Sequence, residues 1–361
     1  MSERPAIAGG DRFLTEIGGQ PEAMRRAHRA VAGQADRLGD LARRPRDGSI
    51  VMTGMGSSYD ACHVPVTMLT EGGAQTSLVN AAELLHFQSA SLDGRTTLVV
   101  VSQSGRSVEI VRLLEDLARR PDRPFIVAIT NGTDNLLAAG ADIAFDTAVG
   151  DELGPSTMTF AGSLVALDAV ARVLAVAEAD VDDVVRAVGA DVDGAAAAAE
   201  ALLAQRATVT ATMVRWATAR PHLVILGRGT ARATADMAAL TVKEVAGASA
   251  EALVAADFRH GPLELIDPSL AVAFVTLEVA TDEIDRSFAA ELSTGPASVV
   301  VVGREPCSVG AASSIAVGPV DRRLAPAVAM IPFQLLAREL AIERGRRPGE
   351  FKQASKVTTR E

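Results

Sequence analysis

The feature that most constrains the fold is a diverged internal repeat. Ser49-Ile-Val-Met-Thr-Gly-Met-Gly56 is a short apolar β run closing on Gly-x-Gly, and His222-Leu-Val-Ile-Leu-Gly-Arg-Gly229 is a second. Three further apolar runs follow each in step: Thr97 to Ser102 with Val272 to Glu278, Phe125 to Thr130 with Ser298 to Gly303, and Asp142 to Thr147 with Ser313 to Gly318. The copies lie about 170–175 residues apart, the size of one α/β domain. Between the runs stand Ala- and Leu-rich stretches of helical period, Ser107 to Arg119 and Thr230 to Ala246 among them. A strand followed by a crossover helix returns to a parallel neighbour, so each copy reads as a mainly parallel sheet flanked by helices. The fold class is therefore α/β in two tandem domains.

The expected divisions are a helical N-terminal segment over 1–48, a first domain over 49–180, a helical linker over 181–220, a second domain over 221–345 and a C-terminal tail over 346–361. Phe13 to Pro21 leads into an amphipathic helix from Glu22 to Arg43, read as packing across the first domain. Gly154-Pro-Ser-Thr157 caps a helical stretch running to about Glu178. In the tail, Phe351 and Val357 are apolar anchors for docking.

Composition narrows the function. A formal charge of −10, with no Lys/Arg cluster, argues against a nucleic-acid partner, since backbone binding needs concentrated positive charge. Cys62 and Cys307 are too few for a disulfide framework and have no zinc-spaced ligands around them. No apolar run is read as approaching a membrane span and no signal-peptide pattern opens the chain, so the expectation is a cytoplasmic protein without a membrane partner. Of 35 basic residues only Lys243, Lys352 and Lys356 are lysines. Unlike Arg, Lys can deprotonate to act as a base or Schiff-base former, so these three are candidates for chemistry.

Two loops carry the binding signal. Ser102-Gln-Ser-Gly-Arg-Ser-Val-Glu109 follows a strand and opens a helix, where backbone N–H groups and hydroxyls can surround an anion. Gly54-Met-Gly-Ser-Ser-Tyr59 makes a second such turn at the adjoining strand end, where ligands of open α/β sheets collect. Neither a Gly-x-Gly-x-x-Gly nor a Walker sequence occurs, so a dinucleotide or nucleoside triphosphate fits poorly. No cofactor and no metal are expected.

At these residues the chain resembles the double-SIS sugar-phosphate proteins, including the isomerase half of glucosamine-6-phosphate synthase. In that family a Gly-Thr-Ser-Tyr turn and a Ser-Gln-Ser-Gly-x-Thr loop hold the sugar and its phosphate. They match Gly56, Ser57 and Ser58, and Ser102, Gln103, Ser104, Gly105 and Ser107. Lys243-Glu244, Ala250-Glu-Ala252 and Arg259-His-Gly-Pro-Leu263 resemble the family's Lys-Glu, Ala-Glu-Ala and Lys-His-Gly-Pro-Leu run, and Ala354-Ser-Lys-Val-Thr358 its lysine-bearing tail. The resemblance covers residues 13 to 361 and implies roles for three residues. His260 would open the sugar ring, reaching the site of a partner subunit in a homodimer. Glu244 would carry a proton between C1 and C2. Lys356 would stabilise charge on the open-chain sugar or form a Schiff base. Lys243 falls on a motif position as a substrate-binding candidate; the plain alternative is an ion pair with Glu251 or a neighbour.

Departures from the family bear on the reaction. Within residues 1–361 no N-terminal cysteine nucleophile and no glutaminase segment are read, Thr241 stands for a lysine beside the base, Ser156-Thr-Met158 replaces Ser-Thr-Lys, and Arg106 replaces an acidic residue. The expectation is an isomerising deaminase or deglycase acting on an amino-hexose 6-phosphate or a fructosamine 6-phosphate. The alternative from another class is a non-catalytic sugar-phosphate sensor. Against it stand Glu244, His260 and Lys356 together, and the lack of a helix-turn-helix with a basic face. A biosynthetic role on an unusual amino sugar remains a third reading.

Overall fold

The computed structural model describes residues 11–45, 47–308, 310–353 and 355–360. Residues 1–10 of the N-terminal segment and Ala354 and Glu361 of the tail lie outside them.

The repeat folds into two five-stranded parallel sheets. The first contains β1 (Ile50–Gly54), β2 (Thr76–Asn80), β3 (Thr97–Val101), β4 (Phe125–Thr130) and β5 (Ile143–Asp146) in the order β2-β1-β3-β4-β5. The second contains β6 (His222–Gly227), β7 (Ala250–Val254), β8 (Leu270–Thr276), β9 (Ser298–Gly303) and β10 (Ser313–Ala316) in the order β7-β6-β8-β9-β10. Every pairing is parallel. The two orders are identical, as two copies of one domain require. In both, the chain reverses its direction of travel beside the first strand, and the crevice at that switch point is where open α/β sheets bind ligands.

The edge strands β2 and β7 are absent from the sequence reading. Both are half-buried, with one exposed position and no run of branched residues, whereas β1, β3 and β8 are buried throughout. A strand buried on both faces reads as a continuous apolar run; an edge strand does not. Residues 181–220 form two helices, Val181–Ala204 and Arg206–Ala217. They pack into the core through Val188, Val192, Ala195 and Met213 rather than spanning open space. The Trp216 indole donates to the carbonyls of Val272 and Ser298, tying the second helix to the second sheet.

Alternation along each strand divides the core. Val99 and Val101 of β3, with Ala271 and Ala273 of β8, face one large central core that both sheets share, while Leu98 and Val100, and Val272 and Phe274, face smaller clusters on the outer sides. Two central helices, Met158–Ala175 and Ala325–Glu343, correct the sequence reading of membrane spans. They are long and apolar enough to cross a bilayer by length and composition, yet 89% and 83% of their apolar windows are buried inside the protein. A helix apolar on all sides belongs in such a core.

Candidate active site

A cavity of about 200 Å³ opens at the C-terminal ends of β1 and β3. The turn after β1 supplies Gly56, Ser57 and Ser58, and the loop after β3 supplies Ser102, Gln103, Ser104 and Ser107. Ser107 is the N-cap of helix Val108–Leu117 but makes no side-chain cap bond, so its hydroxyl is not spent on its own helix. Gly105 shapes the loop without lining the cavity. It sits at φ +60°, and a Cβ there would fall 1.9 Å from Oδ1 of Asn135, whose side chain caps the next helix. Only glycine fits both conditions.

The second domain closes this cavity with Leu240 and Glu244. Helix Ala231–Thr241 ends in a wider π turn over Val242–Ala246, which carries Glu244 and stops at Gly247 in the left-handed region. Such turns recur at functional sites because they re-aim one side chain. Burial pushes the Glu244 carboxyl up to about 7; the positive charges of Lys356 and Lys243 pull it down, and the Glu152 carboxylate pushes it up. A group that titrates there can both take and return a proton at neutral pH.

The tail forms the roof. Phe351, Ser355, Lys356 and Thr358 line the cavity, and the Thr358 carbonyl accepts from the Val108 amide at 3.1 Å, capping the helix that follows the Ser-rich loop. Gly349 is packed between Gly154 and Phe13 of the N-terminal helix Arg12–Gly18. The Lys356 ammonium donates to Oε2 of Glu152 at 2.7 Å and to the Gly154 carbonyl at 2.6 Å. Glu152 is buried and also accepts from the amides and hydroxyls of Thr157 and Thr159. With five donors on one carboxylate, this ion pair is fully satisfied and well placed to hold the lysine.

Three expected site residues lie elsewhere in the chain's own fold. Gly105 is beneath the loop, as described. Lys243 is exposed and lines a separate cavity of about 610 Å³ with Glu251, and no ion pair joins the two. His260 is exposed and is not part of the lining of Glu244's cavity. Two acids that the sequence reading gave no role belong beside the site. One is Glu152, whose Gly-Pro-Ser-Thr sequel reads only as a helix cap. The other is Asp60, directly after the Gly-Ser-Ser-Tyr turn; burial, and then the nearby Asp236 carboxylate, hold its carboxyl well above the usual range. Among the departures, Arg106 turns outward to the Asp134 carbonyl, and the buried Thr241 hydroxyl has no partner among the described residues. No group of three or more His, Cys, Asp or Glu side chains among the described residues is placed to hold a metal ion.

The serine-rich cradle in one copy of the repeated parallel domain and the carboxylate from the other both lie in stretches that a family model matches. The SIS-domain model matches residues 45–173 and again 217–344. The chain belongs to the SIS-domain family. Over 96% of its length this SIS protein is 28% identical to the glutamine–fructose-6-phosphate aminotransferase of Pyrococcus horikoshii, of which it spans 57%. It superposes with a TM-score of 0.83 on the C-terminal domain of glucosamine-fructose-6-phosphate aminotransferase from Francisella tularensis, covering 96% of this chain and all of that one at 22% identity. It also superposes on glucosamine-6-phosphate deaminase from Thermotoga maritima, with a TM-score of 0.71 at 20% identity, covering 96% of this chain and 99% of that one. These likenesses to solved structures establish the double-SIS fold.

Proposed function

We propose that this SIS protein is an aldose–ketose isomerising enzyme that releases an amine from an amino-hexose 6-phosphate or a fructosamine 6-phosphate. The observation that carries the reading is Glu244. A carboxyl poised at about 7 comes from the second domain into the same cavity as the Ser-rich turns of the first. The phosphate rests on Ser102, Ser104, Ser107 and the N-terminus of helix Val108–Leu117, where hydroxyls and the helix dipole favour an anion. The sugar lies toward Glu244 and Lys356, bounded by Ser57, Ser58 and Gln103. Once the ring is open, Glu244 removes a proton at one of C1 and C2 and returns it at the other. Water then adds to the resulting imine carbon and the amine leaves, giving the ketose phosphate from a 2-amino-hexose 6-phosphate and the aldose phosphate from a fructosamine 6-phosphate. Protonated Lys356 stabilises negative charge on the sugar oxygen, or, after giving up a proton, attacks the carbonyl to form a carbinolamine that loses the oxygen as water and becomes a Schiff base.

Ring opening is assigned to His260 of a second copy in a homodimer. The exposure of His260 and its position outside the cavity lining support that reading. Mixing inactive His260→Ala and inactive Glu244→Gln chains under subunit exchange is expected to restore part of the activity, because one hybrid site then carries both wild-type residues. A fully active species that sediments as a monomer contradicts this assignment.

The cradle makes its own prediction. Ser104→Ala and Ser107→Ala are each expected to raise the half-saturating sugar-phosphate concentration about 10–100-fold, the loss of one hydrogen bond to a charged group, with a change in Tm under about 2 °C. Titration of the two variants with substrate checks this; unchanged affinity in both removes the phosphate from this loop. The reaction itself is tested by incubating the protein with a panel of amino-hexose and fructosamine 6-phosphates and following amine or ammonia release together with the ketose phosphate formed from the former and the aldose phosphate formed from the latter. Saturable binding without turnover of any member contradicts the enzyme reading and favours a sensor.

A further inference from the structure

The two domains make the same turn after their first strands. Gly54-Met-Gly-Ser57 and Gly227-Arg-Gly-Thr230 share both glycines and the following hydroxyl residue, and Gly56 and Gly229 adopt φ of +50° and +53°. Strand register extends the equivalence to the next loop. Thr53 pairs with Val100 in the first sheet and Leu226 with Phe274 in the second. Counting on from those pairs, the place of Ser104 in the first domain is taken by Glu278 in the second.

Glu278 does more than repel an incoming anion. It fills the turn. Its Oε1 accepts from the Thr230 amide and the Thr230 hydroxyl, both at 2.7 Å, and its Oε2 lies 2.7 Å from the Arg322 guanidinium. Thr230 is fully buried and Glu278 is 7% exposed. A Cβ on Gly229 would come within 2.6 Å of the same carboxylate oxygen, so the backbone is shaped closely around it. Arg322 extends the contact to the first domain through Glu71, at 2.9 and 3.1 Å. Glu71 ends helix His63–Glu71, which packs on the central helix Met158–Ala175.

We propose that the second domain retains a working oxyanion cradle whose resident ligand is the chain's own Glu278 carboxylate. The cradle's ligand class is a small carboxylate or phosphate-type anion, held by the Thr230 amide, the Thr230 hydroxyl and Arg322. Occupied from within, it leaves the first domain as the sole taker of the substrate's phosphate, and it anchors the arginine that links the two domains. The inference stands on the second domain's contacts and is independent of the substrate proposed above.

Glu278→Ala empties the cradle and leaves Arg322 without one partner. Its Tm is expected to fall by about 6–10 °C, since removing one member of a buried ion pair strands the other. Sodium acetate or inorganic phosphate is expected to recover at least half of that loss, while sodium chloride at equal ionic strength does not. Wild type and the Glu278→Ala, Arg322→Leu double variant are expected to respond alike to all three salts. Where Glu278→Ala does not accumulate as folded protein, refolding from denaturant provides the readout, with soluble recovery expected in acetate or phosphate and not in chloride. Recovery by chloride to the same extent, no recovery by any anion, or recovery that survives loss of Arg322 overturns the proposal.

Discussion

Glu244→Gln is expected to lower turnover by about 10²–10⁴-fold, the usual contribution of a general base, while leaving substrate affinity within a few-fold of wild type. The wild-type rate is expected to rise with pH on an acid limb centred at about 7, the position to which burial drives this carboxyl. The same shift makes the residue a cost to stability. Because the folded pKa lies above the ordinary value of 4.5, the unfolded chain ionises first. Stability linked to Glu244 is therefore fully present below about pH 4.5, is lost as the pH rises toward about 7, and stays lost above it. The difference amounts to about 3 kcal/mol. Glutamine cannot ionise, so Glu244→Gln is expected to melt several degrees above wild type at pH 8 and level with it at pH 4. Thermal melts across that range check the sign, and a variant destabilised equally at both pH values contradicts it.

Lys356 carries the second large effect. Lys356→Arg is expected to be nearly as damaging as Lys356→Ala, each losing turnover by about 10²-fold or more. A guanidinium keeps the charge but neither deprotonates to a nucleophile nor fits the compact site between Oε2 of Glu152 and the Gly154 carbonyl. Removing the tail from Gly349 onward is expected to abolish turnover too, since it deletes Phe351, Lys356 and Thr358 from the cavity roof together. The main thermal transition is expected to persist, because the shared core lies in the sheets and central helices. Borohydride in the presence of a ketose phosphate is expected to trap an adduct at Lys356 if the Schiff-base route operates. Full activity of both the Arg variant and the truncated chain removes the tail from the mechanism.

The sequence makes the interior legible and the surface less so. Runs such as Leu98-Val-Val-Val101 are buried on both faces and declare themselves as parallel strands, and the Gly-x-Gly turns mark where they end. The edge strands Thr76–Asn80 and Ala250–Val254 are half-wet and short, so their pattern is too weak to read. The cavity lining is largely visible because hydroxyls after a strand have a chemical reason to be there. Glu152 is invisible for the opposite reason. Its meaning comes from a lysine more than two hundred positions away in sequence, which no local pattern encodes. Likewise Glu278 reads only as an acid at the second domain's strand end that would repel a phosphate, until strand register puts it in the place of Ser104 and its contacts show it filling the turn. The buried helices Met158–Ala175 and Ala325–Glu343 show the limit of hydropathy alone, since a core shared by two sheets and a bilayer select the same composition.

The central claim is that Glu244, lent by the second domain, moves a proton on a sugar phosphate held by the first. Solvent hydrogen exchange tests it most directly: a ketose 6-phosphate and its 1-amino counterpart are incubated with the protein in D₂O and followed by proton NMR at C1. Deuterium is expected to enter at C1 with wild type and to fall to background with Glu244→Gln, while Ser104→Ala exchanges normally at saturating substrate. Binding without exchange in the wild type, or exchange that survives loss of Glu244, contradicts the claim.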